Sequence, residues 1–260
     1  MAENIVNGVD CRFITVVMPV YNCEKFIEAA VRSVMAQTYK NWKLLVINDG
    51  STDSTCSIVQ KLSNEDSRIN LIHNDGVKGA AGARNLGLDL SDGDYIALVD
   101  SDDLWKPDKL EKQLLLAEKT NADIIYCSYG IIDADNKKTC DDFIVSAETS
   151  YKSMMIRSVI TCSTALLSRK IVDKYRFSYD YYHEDLVFWL QILRDGYKAI
   201  GVVDILADYR LLDGSRSSNK IKSAIERWKI FRNCLKEPFF SSLKAIIGYA
   251  WYGLKKYKRI

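Results

Sequence analysis

Two acidic clusters and one glycine-rich segment contain most of the chemistry this sequence could perform. Asp100-Ser101-Asp102-Asp103 follows the apolar run Tyr95–Val99. An extended chain sends residues i and i+2 to the same side, so Asp100 and Asp102 can converge on one ligand. Carboxylates crowded at a strand end repel one another and lose hydration, a conflict that a divalent cation such as Mg²⁺ or Mn²⁺ relieves. The competing reading makes Asp102 or Asp103 the cap of the next helix. Asp49, in Asn48-Asp49-Gly50-Ser51-Thr52-Asp53, could accept a uracil or thymine imide N–H or a ribose hydroxyl, with Tyr21 offering a ring face for stacking. Alternatively Asp49-Gly50 is only a turn, and Asp53 reads as a helix cap. Lys78-Gly79-Ala80-Ala81-Gly82-Ala83-Arg84-Asn85 could bring backbone amides and Arg84 to a diphosphate, or could simply allow close helix packing. It is not a P-loop, since no Gly-Lys-Ser/Thr follows. Tyr181-Tyr182-His183-Glu184-Asp185 heads an apolar helical run. Its carboxylates suit either a general base for a sugar hydroxyl or plain N-terminal capping, and His183 receives no role.

Positioning these residues falls to alternating strands and helices. Strands are expected at Phe13–Met18, Lys43–Ile47, Ile69–His73, Tyr95–Val99 and Ile124–Ser128. Helices are expected at Glu24–Gln37, Ser54–Leu62, Ala80–Leu90 and from Pro107 to about Thr120, the last opened by a first-turn proline. This is an α/β pattern, a mostly parallel Rossmann-like sheet flanked by helices, and in such sheets ligands bind beyond the C-terminal strand ends. Each acidic cluster in the first half lies there. Beyond Gly130 the alternation fails: Asp133–Lys138 reads as a turn, and a helix is expected near Asp185–Asp195. The division expected is an N-terminal extension (1–12), a nucleotide-binding half (13–130), an acceptor-side half (131–214) and a helical tail (215–260).

The 260 residues are 48% hydrophobic and 27% charged, which excludes disordered chains and small disulfide scaffolds. The 36 basic and 34 acidic residues are unevenly spread: residues 216–260 hold 12 Lys/Arg and 2 Asp/Glu, against 24 and 32 before them. A basic tail on an acidic body suggests an anionic partner. Aromatic residues among its lysines suit an anionic membrane surface, while a helix packed on the domain with its lysines in water is the alternative. Nucleic acid is the poorer partner for an acidic body. Seven scattered cysteines without a C-x-x-C pair fit a reduced compartment. No signal-like N-terminus is present, and Ala245–Leu254, the longest uncharged run late in the chain, is about half the length a bilayer requires. The expected location is the cytoplasm.

Pro19-Val20-Tyr21-Asn22-Cys23-Glu24, Asn48–Asp53, Gly79–Asn85, Asp100–Asp103 and Glu184-Asp185 together resemble the family 2 glycosyltransferases of GT-A fold, in order and in spacing, over roughly residues 13 to 212. The resemblance implies a nucleotide pocket lined by Pro19, Tyr21 and Glu24, with Asp49 on the base or ribose and Arg84 nearby. It makes Asp100-Ser101-Asp102 the D-x-D motif, with Asp102 the direct ligand of Mn²⁺ or Mg²⁺ and Asp100 nearer the ribose or a metal-bound water. Asp185 becomes the base of an inverting transfer, supported by Glu184. Processive members carry Q-x-x-R-W and membrane helices; here Ala224-Ile225-Glu226-Arg227-Trp228 has alanine in place of glutamine. The resemblance therefore implies single-sugar transfer, with a UDP-sugar as the commonest donor in the family, to a glycan or lipid-linked acceptor in surface-polysaccharide assembly. Two other readings are a sugar-phosphate nucleotidyltransferase, disfavoured because no glycine-rich loop follows the first strand, and a degenerate binding module.

Overall fold

The structure, a computed structural model, describes residues 12–212 and 220–257. Four strands, β1 (Ile14–Val20), β2 (Trp42–Asn48), β3 (Ile69–His73) and β4 (Tyr95–Leu98), alternate with helices α1 (Ile27–Met35), α2 (Thr55–Glu65) and α3 (Ala80–Asp89). They pair in parallel in the order β3-β2-β1-β4. β1 is nearly all buried, as its apolar, largely β-branched run requires of a strand covered on both faces.

The second half completes the same sheet. It comprises β5 (Leu104–Trp105), α4 (Lys109–Thr120), β6 (Ile124–Ile132), β7 (Glu148–Thr149), α5 (Tyr151–Ile156), β8 (Leu166–Ser168), α6 (Arg169–Val172), α7 (Glu184–Arg194) and β9 (Ala199–Arg210). β8 joins β4 and β6 in antiparallel pairing, and β9 runs parallel to β6. The full order is β3-β2-β1-β4-β8-β6-β9-β5, with β7 paired to β9. Helices α8 (Lys220–Lys229) and α9 (Phe239–Tyr257) follow.

Strand alternation divides the core into two layers. Val17, Leu45, Ile47, Ile96, Leu98 and Ile124 pack with α3, α7 and the C-terminal helices. Ile14, Val16, Met18, Leu44, Val46 and Ile125 pack with α1, α2 and α4. On the first side α3 lies very close to β1: a Cβ on Gly87 would stand 2.3 Å from Val17 Cγ1.

The helix expected from Pro107 instead begins at Lys109, with Asp108 at the capping position. Lys106 N–H donates to Leu206 C=O (2.9 Å) and Pro107 C=O accepts from Thr38 N–H (2.8 Å), so this stretch is still tied to the sheet edge. The turn at Asp133–Lys138 is present, with Asp133 Oδ1 accepting from Asp135 N–H (2.8 Å) and Lys137 N–H (2.9 Å). The tail is described from Lys220; Ser215, most of the N-terminal extension, Lys258 and Arg259 lie outside the described residues. α9 packs through Ser242 and Ala245 and turns Phe240, Leu243, Ile247 and Trp251 outward. Among the described residues no helix is long and apolar enough to cross a membrane.

Candidate active site

The C-terminal ends of β1, β2 and β4 form the floor. Pro19 sits inside β1, where a missing N–H would ordinarily break a ladder. Here Val20 C=O accepts from Asp49 N–H (2.9 Å) and Val17 C=O from Val99 N–H (3.1 Å). Residue 19 therefore faces the β4 side, beyond the last paired residue of that strand, so its missing N–H removes no bond from the paired ladder. Tyr21 follows at 61% exposure, its ring open for stacking.

The loops after β1 and β2 are bonded to each other. Asn22, at φ 45°, accepts at Oδ1 from Thr52 N–H (2.8 Å), and its own N–H donates to Ser51 Oγ (3.0 Å). Glu24 Oε2 accepts from Ser54 N–H (2.9 Å) and Asp53 Oδ2 from Glu24 N–H (3.1 Å). Asp53 Oδ1 also takes Thr55 N–H (3.0 Å), so it caps α2 as the sequence suggested. Glu24, placed by the resemblance in the nucleotide pocket, thus has one oxygen committed to the α2 entrance.

Asp49 holds the loop before α3. Its Oδ1 accepts from Asn74 Nδ2 (2.7 Å) and its Oδ2 from Gly79 N–H (2.6 Å). Gly79 has φ +97°, a conformation suited to glycine. A carboxylate has about four acceptor positions, so two bonds leave room for a base or ribose donor. The small residues of this segment serve packing directly, since a Cβ on Gly82 would stand 1.8 Å from Val77 C=O.

The acidic loop after β4 is held from three directions. Asp100 N–H donates to Ser163 Oγ (3.0 Å), and Ser163 Oγ donates to Asp103. Asp103 Oδ1 accepts from Arg210 N–H (2.8 Å), while Arg210 Nε donates to Asp102 C=O (2.7 Å) and Nη2 to Asn136 Oδ1 (2.7 Å). Asp103 is therefore a buried strut and not a helix cap. Burial, then the Asp100 charge, pushes the Asp102 carboxyl up to about 6. Burial, then Asp102 and Asp100, raises Asp103 well above the ordinary range. A hard-oxygen carboxylate whose charge is disfavoured by burial and by a neighbouring carboxylate is a fitting donor for Mg²⁺ or Mn²⁺. Among the described residues no group of three or more His, Cys, Asp or Glu side chains gathers as a ligand set. A cation on Asp100 and Asp102 would accordingly complete its shell with water and substrate oxygens.

Arg84 joins the two acidic clusters. It is 7% exposed; Nη2 donates to Asp100 Oδ1 (2.7 Å) and Nη1 to Glu184 Oε1 (3.0 Å). Both terminal nitrogens are engaged by carboxylates. The adjacent Asn85 exchanges two bonds with the Phe177 backbone, Nδ2 to C=O (2.9 Å) and N–H to Oδ1 (2.8 Å). α3 thereby fixes the approach to α7, whose first turn carries Glu184 and Asp185. Burial, then the Glu184 charge, raises the Asp185 carboxyl above its ordinary value.

A cleft of about 830 Å³ brings Arg84, Asp100, Glu184 and Asp185 together and is walled by β6, α8 and α9 residues, among them Tyr129, Arg227 and Tyr249. Tyr21, Glu24, Asp49 and Asp102 are not among its lining residues; they sit at neighbouring strand ends. Sequence reasoning missed Ser163 and Arg210, and gave Arg227 no role. Arg210 had one signal, a cation ending an apolar strand; Ser163 had none.

The Glycosyl transferase family 2 model matches residues 15–176, a stretch containing Asp49, Arg84, Asp100 and Asp102. WfgD of Escherichia coli, named as a UDP-Glc:alpha-D-GlcNAc-diphosphoundecaprenol beta-1,3-glucosyltransferase, is 37% identical over 250 residues, covering 95% of this chain and 96% of WfgD. TuaG of Bacillus subtilis, a putative teichuronic acid biosynthesis glycosyltransferase by name, is 34% identical, covering 94% and 96%. Among solved structures, S. aureus TarS in complex with UDP-GlcNAc shares the fold at TM-score 0.69 and 18% identity, over 85% of this chain and 64% of TarS. A Pyrobaculum calidifontis mannosyltransferase with GDP-Man and Mn²⁺ does so at 0.70 and 18%, over 94% and 71%. The sheet is accordingly a GT-A sheet, and the chain belongs to glycosyl transferase family 2.

Proposed function

We propose that this protein transfers a single sugar, with inversion, from a UDP-sugar to a hydroxyl of a lipid-linked glycan during surface-polysaccharide assembly. The observation that carries the reading is the position of Asp185. It shares one cleft with Asp100, and burial beside Glu184 lifts its carboxyl above the ordinary range, as suits a general base. Asp185 takes the proton of the acceptor hydroxyl as that oxygen attacks the anomeric carbon from the face opposite the departing diphosphate. Glu184 acts through its charge on Asp185 and through Arg84, which also holds Asp100. Asp49 and the Tyr21 ring receive the base and ribose, with Pro19, Glu24 and Ser101 shaping the loops around them. Asp102 and Asp100 would hold a divalent cation, Mn²⁺ or Mg²⁺, whose charge would neutralise the diphosphate.

The donor and acceptor classes are supported by the relatives: WfgD is named for a UDP-glucose donor and a diphosphoundecaprenol-linked acceptor, and the mannosyltransferase structure contains Mn²⁺. Such an acceptor places the reaction at the inner face of the cytoplasmic membrane, with the basic tail toward anionic lipid. Family membership removes the nucleotidyltransferase alternative. The test is a screen of nucleotide sugars with Mn²⁺, reading nucleoside diphosphate released in the presence of a lipid-linked glycan pool. Acceptor-dependent release from a UDP-hexose is expected. Release from none of them, together with calorimetric UDP binding that ignores Mn²⁺, would return the chain to the binding-module reading.

A further inference from the structure

Among the described residues, one buried cation in the cleft that holds Asp185 has no carboxylate in contact with it. Arg227, on α8, is 7% exposed and lines the same cleft as Asp185. One terminal nitrogen, Nη2, donates to Ser158 Oγ (2.7 Å), and the guanidinium stands 4.1 Å from the Tyr249 ring centroid. Nε and Nη1 have no hydrogen-bond partner among the described residues. Burial lowers the Arg227 pKa, with Tyr249 and Asp185 offsetting part of the effect. A buried guanidinium with idle donors is costly unless something anionic arrives to use them.

The wall behind Arg227 suggests which anion that is. Tyr249 and Tyr252 of α9 line the cleft beside Phe143, Ile144, Ile156 and Leu211, and Ile144 and Leu211 are each 46% exposed. A ligand beside Arg227 therefore meets a cation together with an apolar wall that reaches solvent at Ile144 and Leu211. That sequence of surfaces matches a phosphate or diphosphate ester of a long-chain alcohol, charged at one end and apolar beyond.

We propose that Arg227 is the subsite for the diphosphate that joins the acceptor sugar to its lipid, with the lipid lying along the apolar wall of the cleft. This rests on the transferase reading above. The idle N–H groups are closed off from solvent beside the Tyr249 ring, so the acceptor diphosphate engages them as that ring moves aside, anchoring the acceptor's reducing end while its hydroxyl lies at Asp185. The donor carries a diphosphate as well, so the experiment must separate the two.

Two acceptors with the same terminal sugar are compared, one linked to its alkyl chain through a diphosphate and the other through a neutral ether. In the wild-type chain, kcat/KM should favour the diphosphate acceptor by about 10- to 100-fold, the worth of charge-assisted hydrogen bonds. R227Q should abolish that preference by raising KM for the diphosphate acceptor alone, leaving UDP affinity with Mn²⁺ and KM for the ether unchanged; R227K should restore part of it. A wild-type ratio near one overturns the subsite without needing any variant to fold. Equal loss on both acceptors, or weakened UDP binding with the acceptor preference intact, also overturns it, the latter by assigning Arg227 to the donor. Transfer to neither acceptor from any nucleotide sugar would fail the transferase reading itself.

Discussion

Asp185 and Glu184 are neighbours in sequence with different surroundings, and the difference is electrostatic. Glu184 spends its charge on Arg84 (3.0 Å), whereas Asp185 is raised by burial and by Glu184. General-base assistance is worth about 10² to 10⁴ in rate, so Asp185→Asn should lower turnover by that order while UDP affinity, measured by calorimetry, is retained. The same variant should melt higher at neutral pH. A carboxyl whose folded pKa exceeds its unfolded value contributes stability that is present below the unfolded pKa and lost as pH rises through the folded one. Asparagine avoids that loss, and its advantage should vanish on acidification to the unfolded range, read by thermal melts across pH. Because the Glu184 charge helps raise Asp185, Glu184→Gln should move the acid limb of the pH–rate profile to lower pH. Arg84 has the reverse character: Arg84→Met leaves Asp100 and Glu184 without their shared cation, and breaking a buried pair costs about 3–5 kcal/mol, measurable by denaturant titration. The positions of Asp100 and Asp102 beyond the apolar run of β4, and of Asp185 at the head of the apolar helix α7, are visible in one dimension. The Arg84 bridge is not, since Asp100 and Glu184 lie 16 and 100 residues from it.

At the scale of elements, the first half was legible for a physical reason: parallel strands buried on both faces must be apolar, and each is followed by an amphipathic helix. The strand at Ile69–His73 and the start of α3 at Ala80 agree with the pattern to the residue. The second half was not legible, because β8 has only three residues and β5 only two, and both pair with strands distant in sequence. Pro107 misled because a proline's preference for a first turn competes with tertiary bonds at Lys106 and Thr38. α3 is the element whose placement matters most, since it starts just after Gly79 and carries Arg84. Gly87→Ala would drive a methyl to 2.3 Å from Val17. Overpacking of this kind costs about 1–3 kcal/mol, and the displaced helix should lower activity more than a comparable substitution on α2, as paired melting and turnover measurements would show.

For the whole molecule, near-neutral total charge conceals a basic C-terminal segment on an acidic body. The two sequence alternatives for that tail, docking on the domain or lying on a membrane, turn out to concern different faces of α9. Its Ser242–Ala245 side is buried and its Phe240–Trp251 side is exposed. An amphipathic helix with an apolar outer stripe and flanking lysines suits an interfacial position, each basic residue adding about 1 kcal/mol at an anionic surface. The protein should bind anionic vesicles in co-sedimentation, more weakly as salt rises, and replacing Phe240 and Ile247 by serine should abolish binding without unfolding the domain. By itself the sequence determined the α/β class, the family and the order of the acidic motifs, because hydrophobic period and local spacing are properties of the chain alone. Only the tertiary structure decided that Arg84 ties the two acidic clusters, that Arg210 and Ser163 hold the acidic loop, and that Arg227 faces the Asp185 cleft. Those relations depend on which distant residues a folded sheet brings within hydrogen-bonding reach, and no periodicity in the chain encodes them.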